Sequence, residues 1–171
     1  MYSRDELETI LTLDLVVPML FIRQVLPGML ERGGGHVVNI GSLACKGALP
    51  YGVPYAAAKW GLAGLTQSLP AEYAGSGVGF SLVIPGHVTE EGMFARHEAD
   101  GVRAPVIFGT TTPERVARAV VRAIGDDAPE VLVTPRPLRP FLAVADLAPR
   151  LGERLAARIG VANASRTVAG S

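Results

Sequence analysis

His36-Val37-Val38-Asn39-Ile40-Gly41-Ser42 is the stretch on which the fold turns. Its apolar residues run almost without a break and Val37, Val38 and Ile40 are β-branched, the pattern of a strand buried on both faces, as parallel sheets covered by helices require. Upstream, Leu7, Ile10, Leu11, Leu15, Met19, Ile22 and Leu26 recur near every 3.6 residues and predict a long helix ending at residues 29–32, stopped by Gly33-Gly34-Gly35. Downstream, a loop leads to Pro54, suited to a helix's first turn, and a second helix is predicted over residues 55–73. Gly75-Ser76-Gly77 then links to a second strand, residues 80–84, closed by Pro85-Gly86. A long loop over residues 87–112 precedes a third helix, residues 113–124, with Val116, Val120 and Ile124 on one face, and a third strand, residues 130–134. This alternation predicts an α/β fold: a parallel sheet of about three strands with flanking helices.

The chain has 171 residues, 49% of them hydrophobic, enough for one compact domain with a core, expected over residues 1–160 with a disordered tail at 161–171. Sixteen basic and 16 acidic residues cancel, and the arginines are scattered, which argues against a nucleic-acid surface. The one cysteine, Cys45, has no partner for a disulfide or a zinc site and reads as a small loop residue. The apolar stretch 10–22 is interrupted by Asp14 and Pro18 and lacks a basic leader, so the expectation is a soluble, cytoplasmic chain without a membrane span. In the stretch 138–159, Leu142, Leu147, Leu151, Leu155 and Ile159, interleaved with Arg150, Arg154 and Arg158, predict an amphipathic helix that packs on its own domain or on a twin subunit, with membrane-surface binding as the rarer alternative.

Two residues four apart carry the chemistry. Tyr55 and Lys59 share one face of the predicted second helix. A phenol is a poor acid or base at neutral pH, but a nearby ammonium favours the phenolate and brings it into a working range. With four tyrosines and two lysines in 171 positions, roughly 0.05 such ordered pairs arise by chance. An incidental surface lysine is the plain alternative. Ser42 follows the first strand directly, at the carboxyl end where open α/β sheets place their ligands; its hydroxyl suits either a substrate oxygen or the capping of its own loop. Pro85-Gly86 ends the next strand on the same rim.

Together, Asn39-Ile40-Gly41-Ser42, Tyr55-Ala56-Ala57-Ala58-Lys59 and Ile84-Pro85-Gly86-His87-Val88, with Leu26-Pro27-Gly28-Met29 ahead of them, resemble the serine, Tyr-x-x-x-Lys and Pro-Gly segments of the short-chain dehydrogenase/reductase family. The resemblance implies hydride transfer between NAD or NADP and an alcohol or carbonyl. It implies Tyr55 as general acid/base, Lys59 on the nicotinamide ribose, Ser42 on the substrate oxygen, and Pro85, Gly86, Val88 and Thr89 bordering the nicotinamide. Counted back from Leu26-Pro27, the place of the family's proton-relay asparagine is held by Asp14, a charge in place of an amide. Where the family often has threonine, five residues after the proline, stands Glu90, with Thr89 before it. The family's glycine-rich turn and first four strands have no counterpart, so the expected fold is an incomplete Rossmann-like, doubly wound sheet made of the family's last three strands. Little cofactor affinity is then expected of the chain by itself.

The second hypothesis is an inactive derivative acting only through association, and a homodimer or higher oligomer is expected either way because the first strand offers an unpaired edge. A serine hydrolase built on Ser42 and His87 is disfavoured, since Gly-x-Ser-x-Gly is absent; His87 reads as a loop residue at the mouth of the site. Met93, Phe94, Val106, Ile107 and Phe108 suggest a lid over an apolar alcohol or ketone. Pro70 should kink the second helix or end it early.

Overall fold

The computed structural model describes residues 2–47, 52–89, 109–135, 137–148, 150, 151 and 154. Ser3 opens α1 (Arg4–Leu11): its hydroxyl accepts the Glu6 N–H at 3.2 Å while the Glu6 carboxylate accepts the Ser3 N–H at 2.7 Å, satisfying two donors that a helix start leaves open. The helix then widens into a π turn (Thr12–Val16), where the Val17 N–H reaches the Thr12 carbonyl, and continues as α2 (Val17–Glu31). Pro18 accounts for the widening: it has no N–H, and its ring crowds the carbonyl four residues back, that of Asp14.

The expectation that Asp14 and Pro18 break this stretch is corrected. The π turn absorbs the proline, and the helical run Arg4–Glu31 covers 28 residues with a mean hydropathy of 1.7 in its most apolar window, long and apolar enough to cross a membrane by length and composition. The run stops where expected. Gly33 takes φ +63, its N–H bonds to the Leu30 carbonyl at 3.0 Å, and the Gly34 N–H bonds to the Met29 carbonyl at 3.1 Å, the paired bonds of a Schellman cap.

Three strands, β1 (Gly35–Ile40), β2 (Val78–Pro85) and β5 (Glu130–Val133), form a parallel sheet in the order β1-β2-β5, with Val37 opposite Phe80 and Val83 opposite Val131. Alternation along β2 sends Phe80, Leu82 and Ile84 to one face, against Ile22 and Leu26 of α2 and Ala63 and Leu69 of α3 (Val53–Glu72). Val83 turns to the other face, against Ala119 and Ala123 of α4 (Pro113–Gly125). Helices on both faces explain why the strands read as continuous apolar runs. Leu82 and Ile84 are 1% and 0% exposed, so truncating either to alanine costs about 2–5 kcal/mol. The expected α/β layer of three parallel strands is thus observed.

Three local expectations change. The loop 87–112 is tied at its ends by a two-stranded parallel pair, β3 (His87–Val88) with β4 (Thr110–Thr111), too short to show in any periodicity. Pro70 does not end α3, which runs on to Glu72; sitting in the last turn, it forfeits only the bond to the Thr66 carbonyl. The C-terminal amphipathic stretch is interrupted: α5 (Arg139–Leu147) stops because Ala148, at φ −136 and ψ 75, precedes Pro149, and residues before proline avoid the helical region, while Arg150, Leu151 and Arg154 are helical again. Glu90, the lid residues Met93, Phe94, Val106, Ile107 and Phe108, and Leu155, Arg158, Ile159 and the tail 161–171 lie outside the described residues.

Candidate active site at the carboxyl ends of the strands

β1 ends at Ile40 and the chain leaves the sheet through Gly41, buried against Leu82 and Ile84, into Ser42. Ser42 is extended (φ −158, ψ 160), and its Oγ accepts the Ala44 N–H at 3.2 Å, capping the short 3₁₀ turn Leu43–Cys45. The capping alternative for Ser42 is therefore real. It uses a lone pair of the hydroxyl and leaves the proton free to donate.

Pro54 lies buried in the first turn of α3, which sets Tyr55 and Lys59 one turn apart. The Lys59 ammonium sits 5.6 Å from the Tyr55 ring centroid. It donates to the Ile40 carbonyl at 3.3 Å and pairs with Asp14 Oδ1 at 3.0 Å. The structure thus joins the π turn, the end of β1 and the start of α3 at one ammonium, and Asp14, Lys59 and Tyr55 come together there. Asn39 stays out of this group. Its Nδ2 donates to Thr66 Oγ1 at 2.8 Å, and Thr66 passes its own proton to the Leu62 carbonyl at 2.7 Å, a buried chain that ties β1 to α3.

Residues 85–89 border the same rim and are held by backbone bonds. Pro85 pairs with Val133, the Gly86 N–H donates to the Val133 carbonyl at 3.0 Å, and Val88 lies opposite Thr111. Thr89 donates both its N–H (2.9 Å) and its hydroxyl (3.1 Å) to the Thr111 carbonyl, so its proton is used within the fold. Burial pushes the His87 imidazole below its ordinary range. Cys45 is 1% exposed and burial pushes its thiol up, which suits a core residue rather than a nucleophile.

Two polar groupings escape the sequence reading. The Lys46 ammonium meets Glu130 at 2.6 Å, linking the loop after β1 to β5. At the amino ends of the strands, His36 Nε2 lies 2.8 Å from Ser81 Oγ and His36 Nδ1 lies 3.7 Å from Asp127 Oδ1. That order imitates a hydrolytic triad, but Ser81 is 0% exposed and gives its proton to the Ala128 carbonyl at 2.6 Å. Ser81 therefore accepts from His36 Nε2–H, and the cluster is structural. Strand alternation puts His36 and Ser81 on one face only once the register is known, and register is not written locally.

The sequence profile of the short chain dehydrogenase family matches residues 1–100. The ketoacyl reductase HetN of Nostoc sp. is 38% identical over 165 residues, 94% of this chain and 56% of that protein. D-xylose 1-dehydrogenase of Caulobacter vibrioides is 38% identical over 115 residues, 64% of this chain and 46% of that protein. The chain spans about half the length of these curated relatives. Among solved structures, the TT0495 protein of Thermus thermophilus superposes with a TM-score of 0.66 at 30% identity, over 78% of this chain and 61% of that one. The NADH complex of 4-hydroxyisoleucine dehydrogenase gives 0.65 at 22% identity, over 77% and 59%, a likeness of fold. The matched residues include the π turn, β1, α3 and β2 that build the rim, and the chain belongs to the short chain dehydrogenase family of oxidoreductases.

Proposed function

We propose that this chain carries the proton-transfer site of an NAD- or NADP-dependent oxidoreductase that interconverts an alcohol and a carbonyl. One observation carries the reading: an ammonium, Lys59, is held beside the Tyr55 ring at the carboxyl end of β1, anchored by the Ile40 carbonyl and Asp14. In reduction the Tyr55 phenol gives its proton to the carbonyl oxygen, and in oxidation it takes that proton back from the alcohol. Ser42 orients the substrate oxygen with the hydroxyl proton that its cap leaves free. When bound, the nicotinamide supplies or accepts the hydride. The donors fit its ribose end: of the three Lys59 N–H groups, two have partners within the fold and one remains for a ribose hydroxyl. Pro85, Gly86, Val88 and Thr89 would border the nicotinamide itself.

The substrate we propose is a small, apolar alcohol or ketone; the relatives' names, ketoacyl reductase and D-xylose 1-dehydrogenase, both belong to alcohol–carbonyl chemistry. We also propose a soluble, cytoplasmic homodimer or higher oligomer without nucleic-acid partners. Leu13, Leu20 and Phe21, exposed by 63%, 52% and 67% along the helical run, and the place of β1 at the sheet's edge among the described residues support burial against a second copy.

The test is Tyr55→Phe in a chain that also carries the family's glycine-rich half. Turnover should fall by about 10²–10⁴-fold with cofactor binding retained, and unchanged turnover overturns the reading. The 171-residue chain alone should show no saturable micromolar binding of NADPH by calorimetry and a mass above the monomer by light scattering. Tight cofactor binding by a monomer would contradict both expectations.

A further inference from the structure

We propose that Asp14 is a positioning residue for Lys59: its carboxylate fixes the ammonium through a direct ion pair and takes up part of its charge, so that it tempers what Lys59 does to Tyr55. The inference deepens the oxidoreductase reading and rests on it.

The pair is not an ordinary surface contact. At 3.0 Å, with the Lys59 and Asp14 side chains only 12% and 29% exposed, it is shielded from much of the water that makes exposed pairs nearly worthless. Lys59 has a second fixed acceptor in the Ile40 carbonyl at 3.3 Å. Two of three donor directions are thereby set, which aims the third. Asp14 and Tyr55 are the titratable groups in contact with Lys59 among the described residues, the first from the π turn and the second from α3 itself.

The backbone is arranged to bring Asp14 there. Pro18 forces the ladder to widen over residues 12–16, and this is the turn that carries Asp14. The turn is seated directly on α3, because a Cβ built on Gly61 would come within 2.9 Å of Leu15 Cδ2. With glycine at position 61, Leu15, next to Asp14, approaches the helix that bears Lys59 without its methyls having to shift. Two features without evident use elsewhere, a mid-helix proline and a helical glycine, thus converge on one contact.

The consequence is electrostatic. A bare ammonium beside a phenol favours the phenolate strongly; an ammonium already paired with a carboxylate favours it less. Removing the Asp14 charge while keeping its size should therefore let Lys59 act at full strength on Tyr55. In a chain that also carries the family's glycine-rich half, the pH profile of alcohol oxidation should then move to lower pH in Asp14→Asn.

The chain's two lysines allow a test that does not need turnover. With lysine labelled at Nζ, the 171-residue chain should give two ammonium NMR signals, from Lys46 and Lys59. In Asp14→Asn the Lys59 protons should exchange with water about five- to tenfold faster while the Lys46 signal, paired with Glu130, stays put; Glu130→Gln should do the reverse. An unmoved Lys59 signal overturns the proposal, as does equal movement of both signals, which would mean general loosening. The oxidoreductase reading fails separately, through turnover retained in Tyr55→Phe, and that result would leave the ion pair standing.

Discussion

At the amino ends of the strands, a serine, an imidazole and a carboxylate line up as Ser81, His36 and Asp127; at the carboxyl ends, a phenol, an ammonium and a carboxylate gather as Tyr55, Lys59 and Asp14, and Ser42 follows the end of β1 on the same rim. The chemical inventories are close, yet their bonding differs. Ser81 gives its proton to the Ala128 carbonyl and accepts from His36, so no donor is left over. Ser42 and Lys59 each keep a donor beyond those the fold uses. The reason lies in the connections. The turn from α4 into β5 passes tightly over the amino end, with the Ala128 N–H bonded to the Ala123 carbonyl at 3.0 Å, and closes that end with backbone. At the carboxyl end the chain leaves β1 through Gly41-Ser42 and β2 through Pro85-Gly86, on the side where open α/β sheets hold their ligands.

Parallel serine substitutions are the largest test of that contrast. In a chain that also carries the family's glycine-rich half, Ser42→Ala should lower kcat by about 10²-fold, since the donor proposed for the substrate oxygen is lost, with a stability change under about 1 kcal/mol for the missing cap. Ser81→Ala should do the opposite. It strands the Ala128 carbonyl and His36 Nε2–H in the interior and costs about 1–3 kcal/mol by urea denaturation, with kcat per folded molecule unchanged. A catalytic loss in Ser81→Ala, or a larger stability loss in Ser42→Ala, would erase the distinction between the two ends.

How far each end is legible in the sequence follows from the same difference. Tyr55, Lys59 and Ser42 can be read because the first two sit at fixed helical spacing and the third directly follows a strand, and both relations are local. Counting along the chain places Asp14 but not its ion pair with Lys59, because the π turn changes which way residue 14 faces and a 3.6 periodicity does not contain that change. The His36–Ser81 bond spans 45 positions and depends on the β1–β2 register, and the β3–β4 pair spans the whole loop 87–112 in two residues a side. Local pattern thus yields the elements and the one-turn spacing of Tyr55 and Lys59, while contacts between distant segments come from the structure.

The acid side of the stability curve sharpens the comparison further. Burial holds the His87 imidazole, at the carboxyl rim, below its ordinary value, so the folded chain resists protonation there more than the unfolded chain does. The unfolded state then binds the proton first as pH falls through about 6.5, and stability present above that value is lost below it. Hydrogen bonds hold the exposed Glu6 and Glu114 carboxylates below their usual range, and those groups act only at lower pH. Urea midpoints at about pH 7.5 and 5.5 should therefore diverge in the parent chain and converge in His87→Gln. An unchanged pH slope in that variant would show that the rim histidine contributes nothing to acid sensitivity.

The smallest effect is expected of Asp127, the carboxylate at the amino end. Its side chain is 78% exposed and lies 3.7 Å from His36 Nδ1, a geometry in which a screened pair contributes about 0.2–1 kcal/mol and only when the imidazole is charged. The residue also occupies the left-handed region, at φ +46, which asparagine tolerates as well as aspartate does. Asp127→Asn should thus shift the urea midpoint by the equivalent of less than about 0.5 kcal/mol, whereas Asp127→Ala, which must hold a methyl side chain at positive φ, should lose about 1 kcal/mol or more. A charge-driven role would reverse that order, with the asparagine variant suffering as much as the alanine one. Asp14 at the opposite end, more shielded and in direct contact with its ammonium, is where loss of charge alone should be felt.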